Sequence, residues 1–180
     1  KYGYEPKEKL LLGIAVGYDD VRKGAKYMIQ LAKDLEQEAK VILIGWKEKN
    51  NNMLENTQNV ITLPSTSSAD MLAEYYSMAD VFVLPSLAEN YATTALESMA
   101  CGTPVVGFAA GGIPEQMTEG RGIAVPIGDQ EALNEAVRRA MSKESGLLGG
   151  LALAEKTQRE NSMERMTEEY LKIYRRLLEE

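Results

Sequence analysis

Apolar runs of strand length alternate with helical patterns along almost the entire chain, and no other property of the sequence narrows the fold as far. The runs are LLLGIAV (10–16), KVILIG (40–45), NVITL (59–63), DVFVL (80–84), PVVGF (104–108) and GIAVP (122–126). Helical patterns occupy about 23–38, 68–78 and 92–100, a short stretch from Pro114, and then about 129–141, 146–159 and 162–179. Short β-branched runs interleaved with amphipathic stretches predict a parallel sheet with helices on both faces, a doubly wound α/β domain. Ligands of such sheets lie beyond the carboxyl ends of the strands. Residues that directly follow each run are therefore the first candidates for function.

Composition excludes several classes. A chain of 180 residues with 44% apolar content buries one substantial core, so a single domain over 1–180 is expected. A net charge of -7 argues against general affinity for nucleic acid or anionic lipid. The single cysteine, Cys101, excludes an internal disulfide and fits a reducing compartment. With no histidine, the chain alone builds no Ser-His-Asp triad, no Cys-His pair and no histidine-containing zinc site. The longest apolar runs are of strand length, which predicts no membrane span. The chain opens at Lys1, and residues 1–9 read as a linker from a preceding domain.

The densest chemistry lies in SLAENYATTALESMACGTPVVGFAAGGIPE, Ser86 to Glu115. Glu89 and Glu97 flank the start of the helix expected over Ala92–Ala100. The turn Asn90, Tyr91, Ala92, Thr93 brings unpaired backbone N–H groups and the positive end of a helix dipole to that point, a setting for phosphate or sugar oxygens. Alone, Glu97 would be a solvated helical carboxylate and Glu89 a capping one. As acceptor-only groups, both also suit a polyhydroxylated ligand. Arg22 and Lys23 open the first helix, where cations oppose the dipole, and a bound anion would remove that conflict. Gly111-Gly112 follows the fifth run and permits unusual dihedrals at the ligand-facing edge.

Glu89 and Glu97, eight positions apart, with ALESMACGTPVV running through the second and Gly-Gly-Ile-Pro-Glu at Gly111–Glu115, resemble the E-x7-E signature of family-4 retaining glycosyltransferases, the group 1 enzymes of GT-B fold. The resemblance extends from about Leu10 into the last helix and covers the C-terminal, donor-binding half of such an enzyme. It implies a Rossmann-like domain that binds a nucleotide diphosphate sugar, UDP- or GDP-linked, for retaining transfer to a hydroxyl of a glycan or lipid-linked acceptor. By the same resemblance, Glu97 chelates the ribose hydroxyls, Glu89 meets the donor sugar, and Lys23, helped by Arg22, contacts the diphosphate. Gly17, Tyr18, Gly45 and Leu63 fall where the nucleoside would pass, with Trp46 and Tyr18 as stacking or packing aromatics. Asn90, Tyr91, Ala92, Thr93, Gly111 and Gly112 fall around the sugar and diphosphate.

No metal and no cofactor is implied. The expected partner is an N-terminal acceptor domain, to which residues 162–180 would cross, and the chain alone should bind donor but transfer little. Polysaccharide synthesis in the cytoplasm, at the inner membrane face, is the implied setting. Two departures stand out. Tyr18 follows Gly17 where many members carry Arg, with Arg22 as a substitute charge, and Asn90-Tyr91-Ala92 replaces Gly-Phe-Gly. The other readings are one half of a nucleotide-sugar epimerase, or a non-catalytic nucleotide-binding module.

Overall fold

A computed structural model describes residues 8–15, 19–47 and 52–179. Six strands form one parallel sheet: β1 (Leu10–Ile14), β2 (Lys40–Ile44), β3 (Val60–Leu63), β4 (Val81–Leu84), β5 (Val105–Phe108) and β6 (Gly122–Val125), in the order β3-β2-β1-β4-β5-β6. Among the described residues seven α-helices accompany them: α1 (Ala25–Asp34), α2 (Ala69–Met78), α3 (Thr93–Ala100), α4 (Ile113–Gln116), α5 (Gln130–Met141), α6 (Gly150–Glu160) and α7 (Met163–Glu179). The order reverses direction between β1 and β4. A crevice opens there at the carboxyl edge because the two chains leave in opposite directions.

Successive strand residues serve opposite faces. Leu11, Val41, Leu43, Val83 and Phe108 pack with α1 and α5, whereas Leu12, Ile42, Ile44, Phe82 and Leu84 pack with the α2, α3 and α4 side. Both faces are covered, so every position in these strands favours an apolar residue, and the strands read as continuous hydrophobic runs. Ser68 and Asp129 cap α2 and α5, accepting from the N–H groups of Met71 and Ala132 at 3.3 and 3.0 Å.

Several boundaries differ from the sequence expectation. The first helix does not run unbroken from Lys23 to Glu38: a 3-10 turn at Val21–Lys23 precedes it, and Gly24, at φ 68°, separates the two. A Cβ at Gly24 would overlap the carbonyl oxygen of Pro85, so the left-handed glycine sets how closely the two strand-end loops approach. The helix expected from Gly146 begins at Gly150, because the preceding segment is used for docking. There the N–H groups of Leu148 and Gly150 donate to the carbonyls of Gly120 and Gly102. Residues 1–7 of the expected linker lie outside the described residues. Lys9 already belongs to the sheet margin, since its carbonyl accepts from Lys40 N–H at 2.8 Å and its Nζ pairs with Asp80 at 2.6 Å.

The last helix carries an apolar stripe that the described residues do not cover. Its stripe of Met163, Met166, Tyr170, Ile173, Tyr174 and Leu177 has the spacing of a core-facing surface, yet no α7 residue is buried. The core on the α2, α3 and α4 side is built from α2, α3, α4, α6 and strand side chains, without any residue of α7.

Candidate functional site

The crevice between β1 and β4 holds a cleft of about 230 Å³ lined by Gly13, Ile14, Ala15, Lys23, Pro85, Ser86, Glu89 and Thr94, among others. Lys23 and Glu89 close it: Lys23 Nζ donates to Glu89 Oε1 at 2.7 Å. Their loops are joined by backbone as well, because Leu87 N–H donates to the Arg22 carbonyl at 2.7 Å. Glu89 is the more enclosed partner, with 15% of its side chain exposed against 39% for Lys23. The charges sit where water is partly excluded, so their attraction exceeds that of a fully exposed pair.

Arg22 is engaged differently. Its guanidinium makes a fork onto the Asp20 carboxylate, Nη2 to Oδ2 at 2.7 Å and Nε to both oxygens at 3.1 Å. Asp20 caps the 3-10 turn through Arg22 N–H at 2.9 Å, and the Arg22 contacts hold its carboxyl below the usual carboxylate range. Arg22 borders a more open hollow with Lys23, Ala88, Glu89 and Asn90. Gly17 and Tyr18 lie outside the described residues.

The turn Asn90–Thr93 leads into α3 with Ala92 as N-cap, whose side chain cannot bond the first-turn N–H groups. Gln116, 1% exposed, holds that residue instead: its Nε2 donates to the Ala92 carbonyl at 2.9 Å and its Oε1 accepts from Ala92 N–H at 3.2 Å. Gly111 and Gly112 support the same loop. A Cβ at Gly111, at φ 55°, would overlap the Glu89 carbonyl oxygen. Gly112 N–H donates to the Asn90 carbonyl at 2.7 Å, and the Tyr91 ring lies over Gly112. These glycines therefore pack against the Glu89–Tyr91 backbone. They are not among the residues lining the cleft.

Glu97 lies one turn into α3 with its side chain exposed, and its Oε2 accepts from the Tyr76 hydroxyl at 2.9 Å. Burial, reinforced by the Glu97 charge, pushes the Tyr76 phenol far above its ordinary pKa. Gly45, at φ 85°, continues β2 by donating to the Leu63 carbonyl at 2.9 Å, and Leu63 packs against the core beneath. Both stand at the carboxyl edge, outside the cleft lining. Trp46 is 7% exposed within the core on the α1 face, so its role is packing. Burial raises the Cys101 thiol, as befits an inert small hydrophobe.

The structure thus joins Lys23 with Glu89 and sets Gly111-Gly112 under the loop that carries Glu89. Four contributors escaped sequence reasoning. Thr94 adjoins the helix-entry turn and Ser86 follows Pro85 just past β4, so proximity to that turn and to the strand end was a usable signal. Gln116 and Tyr76 act through contacts 24 and 21 positions away, for which no local pattern exists.

Comparison with known proteins places this geometry. Residues 4–162 match the family described as glycosyl transferases group 1. N-acetyl-alpha-D-glucosaminyl L-malate synthase of Bacillus anthracis is 27% identical over 97% of this chain and 47% of its own length. A sulfoquinovosyl transferase of Arabidopsis thaliana is 35% identical over 64% of this chain and 22% of its own. Among solved structures, sucrose-phosphate synthase from Thermosynechococcus elongatus superposes with a TM-score of 0.78 at 27% identity, over 96% of this chain and 46% of that one. The chain spans less than half the length of these relatives. The match to the family runs through the segments that carry Lys23, Glu89 and Glu97, and the chain belongs to the glycosyl transferases group 1.

Proposed function

We propose that this chain is the donor-binding domain of a retaining glycosyltransferase, and that it holds a nucleotide diphosphate sugar across the crevice between β1 and β4. The observation that carries this reading is the pairing of Lys23 with Glu89 at the mouth of the switch-point cleft. A departing nucleoside diphosphate develops negative charge on its β-phosphate, and a cation fixed nearby stabilises the transition state more than the ground state. Lys23 is that cation in this reading. Glu89 then turns from Lys23 to the hydroxyls of the sugar, while Glu97 accepts from the ribose diol. The incoming acceptor hydroxyl approaches on the leaving-group side, which retains the anomeric configuration. Uridine and guanosine diphosphates are the favoured carriers, and base selection falls to the edge near Gly45 and Leu63.

Acceptor recognition belongs, in this proposal, to a further domain, with the exposed face of α7 crossing to it. Such an enzyme would work in the cytoplasm on a glycan or lipid-linked acceptor of the cell surface, without a metal. No helix among the described residues is long and apolar enough to cross a membrane.

Calorimetric titration of the chain with UDP, GDP, ADP and their sugar conjugates, repeated on Lys23→Ala, tests the reading. Loss of a charge-assisted contact to the diphosphate should weaken binding about ten- to a hundredfold. Absence of nucleotide binding by the folded chain, or binding indifferent to Lys23→Ala, would remove the basis for a donor site here.

A further inference from the structure

Glu97 presents a carboxylate on the open surface of α3, and a glutamate in that position ordinarily samples many rotamers. Ordering it on a ligand costs entropy that the resulting contacts must offset. Here one oxygen is already held. The Tyr76 hydroxyl donates to Glu97 Oε2 at 2.9 Å from a ring that is 1% exposed.

Two contacts hold Tyr76 in place as a donor. Its ring meets Phe82 of β4 edge-on, with centroids 5.5 Å apart at 82°. Its carbonyl accepts from Thr103 Oγ1 at 2.6 Å. Thr103 in turn is tied to Ser98, the neighbour of Glu97, by Thr103 N–H to the Ser98 carbonyl at 3.0 Å and Ser98 Oγ to the Thr103 carbonyl at 2.9 Å. The relative placement of the phenol and the α3 turn is therefore fixed by buried hydrogen bonds. The phenol also remains protonated well into the alkaline range, so it donates at any pH at which the chain would work. A buried hydroxyl needs an acceptor, but a backbone carbonyl would satisfy it equally. Here it meets a surface carboxylate instead, and the consequence is a restrained Glu97.

We propose that Tyr76 is a positioning residue for nucleotide recognition: it holds Oε2 of Glu97 and thereby leaves Oε1, with the remaining lone pair of Oε2, oriented to accept from the two ribose hydroxyls. The proposal rests on the reading of Glu97 as the ribose ligand. It predicts an effect confined to ligands that carry those hydroxyls.

The test compares the chain with Tyr76→Phe and Glu97→Gln, each titrated with UDP and GDP and with their 2′,3′-dideoxy counterparts, after thermal melts show that both variants fold. Tyr76→Phe keeps the ring packing and removes one oxygen. It should weaken the ribonucleotide about three- to tenfold and leave the dideoxy ligand unchanged, and it should have no further effect in the Glu97→Gln background. A Glu97→Gln loss without a Tyr76→Phe loss would overturn the positioning role while the ribose site stands. Equal weakening of both ligand types by Tyr76→Phe would make its role purely structural and overturn the proposal. If neither variant discriminates between the ligands, the ribose reading itself fails, and the proposal with it.

Discussion

Lys23 and Glu89 are 66 positions apart in sequence, and their side chains meet at 2.7 Å across the mouth of the switch-point cleft. In the donor-free protein each neutralises the other, so an incoming diphosphate must compete with Glu89 for Lys23. The carboxylate also repels the phosphates directly.

Glu89→Gln should therefore bind a nucleoside diphosphate without sugar more tightly, by about two- to fivefold for a pair this exposed. The gain should shrink as salt is raised, because the competing interactions are partly screened. Paired titrations at low and high ionic strength would show it. Equal or weaker binding by the variant would mean that Glu89 does not hold Lys23 back.

Gly111 and Gly146 separate two costs of replacing a left-handed glycine. Both have positive φ, 55° and 71°, but a Cβ at Gly146 meets nothing within 4 Å, whereas one at Gly111 would overlap the Glu89 carbonyl. Gly146→Ala should cost about 1 to 2 kcal/mol, the price of the dihedral alone. Gly111→Ala should cost about 1 to 3 kcal/mol more and weaken diphosphate binding, because the Glu89 loop has to move. Denaturant unfolding of the two variants measures the difference, and equal losses would sink the claim that this contact fixes the loop.

Gln116 fastens the entry to α3 with both halves of its amide, so its two functions are separable by chemistry. Gln116→Glu keeps the shape but sets a carboxylate against the Ala92 carbonyl, which should cost about 2 to 4 kcal/mol at neutral pH. A protonated carboxyl regains the donor. Burial and the facing carbonyl raise its folded-state pKa above the unfolded value of about 4.3, so the restored stability is fully present below that value and is lost as pH rises through the folded-state pKa. The deficit against the native chain should therefore narrow toward pH 4, read by unfolding at a series of pH values. A pH-independent deficit would mean that the donor half of the amide contributes nothing.

How much of this was legible in the sequence follows from the range of the interactions. The six strands could be read because Val41–Ile44 and Val81–Leu84 are buried on both faces, which leaves an apolar run visible in any window. Glu89 and Glu97 could be picked out as candidates because they flank one helix start in the sequence. The break at Gly24 depends on Pro85, the conformation at Gly111 on Glu89, and the carboxylate of Glu97 on Tyr76. Each of those partners comes from another βα unit, and local periodicity carries no record of it. Gly24 and Gly111 make room for the backbone of Pro85 and Glu89, contacts that no local pattern records.

The α7 stripe is a strong local pattern without a partner among the described residues. Its spacing predicts burial, but Met163, Tyr174 and Leu177 are 74%, 56% and 62% exposed. The hydrogen bonds from Arg165 and Met166 to Ser162 stay within the helix start. Removing residues 162–180 should therefore change the unfolding free energy by no more than about 0.5 kcal/mol, the range of surface changes. It should also reduce binding of a hydrophobic dye and any self-association, since a contiguous apolar face of this kind is sticky in water. Denaturant unfolding and sedimentation of the shortened chain measure both quantities. A loss of several kcal/mol would show that α7 folds back onto the domain in solution, and the face would then belong to its own core.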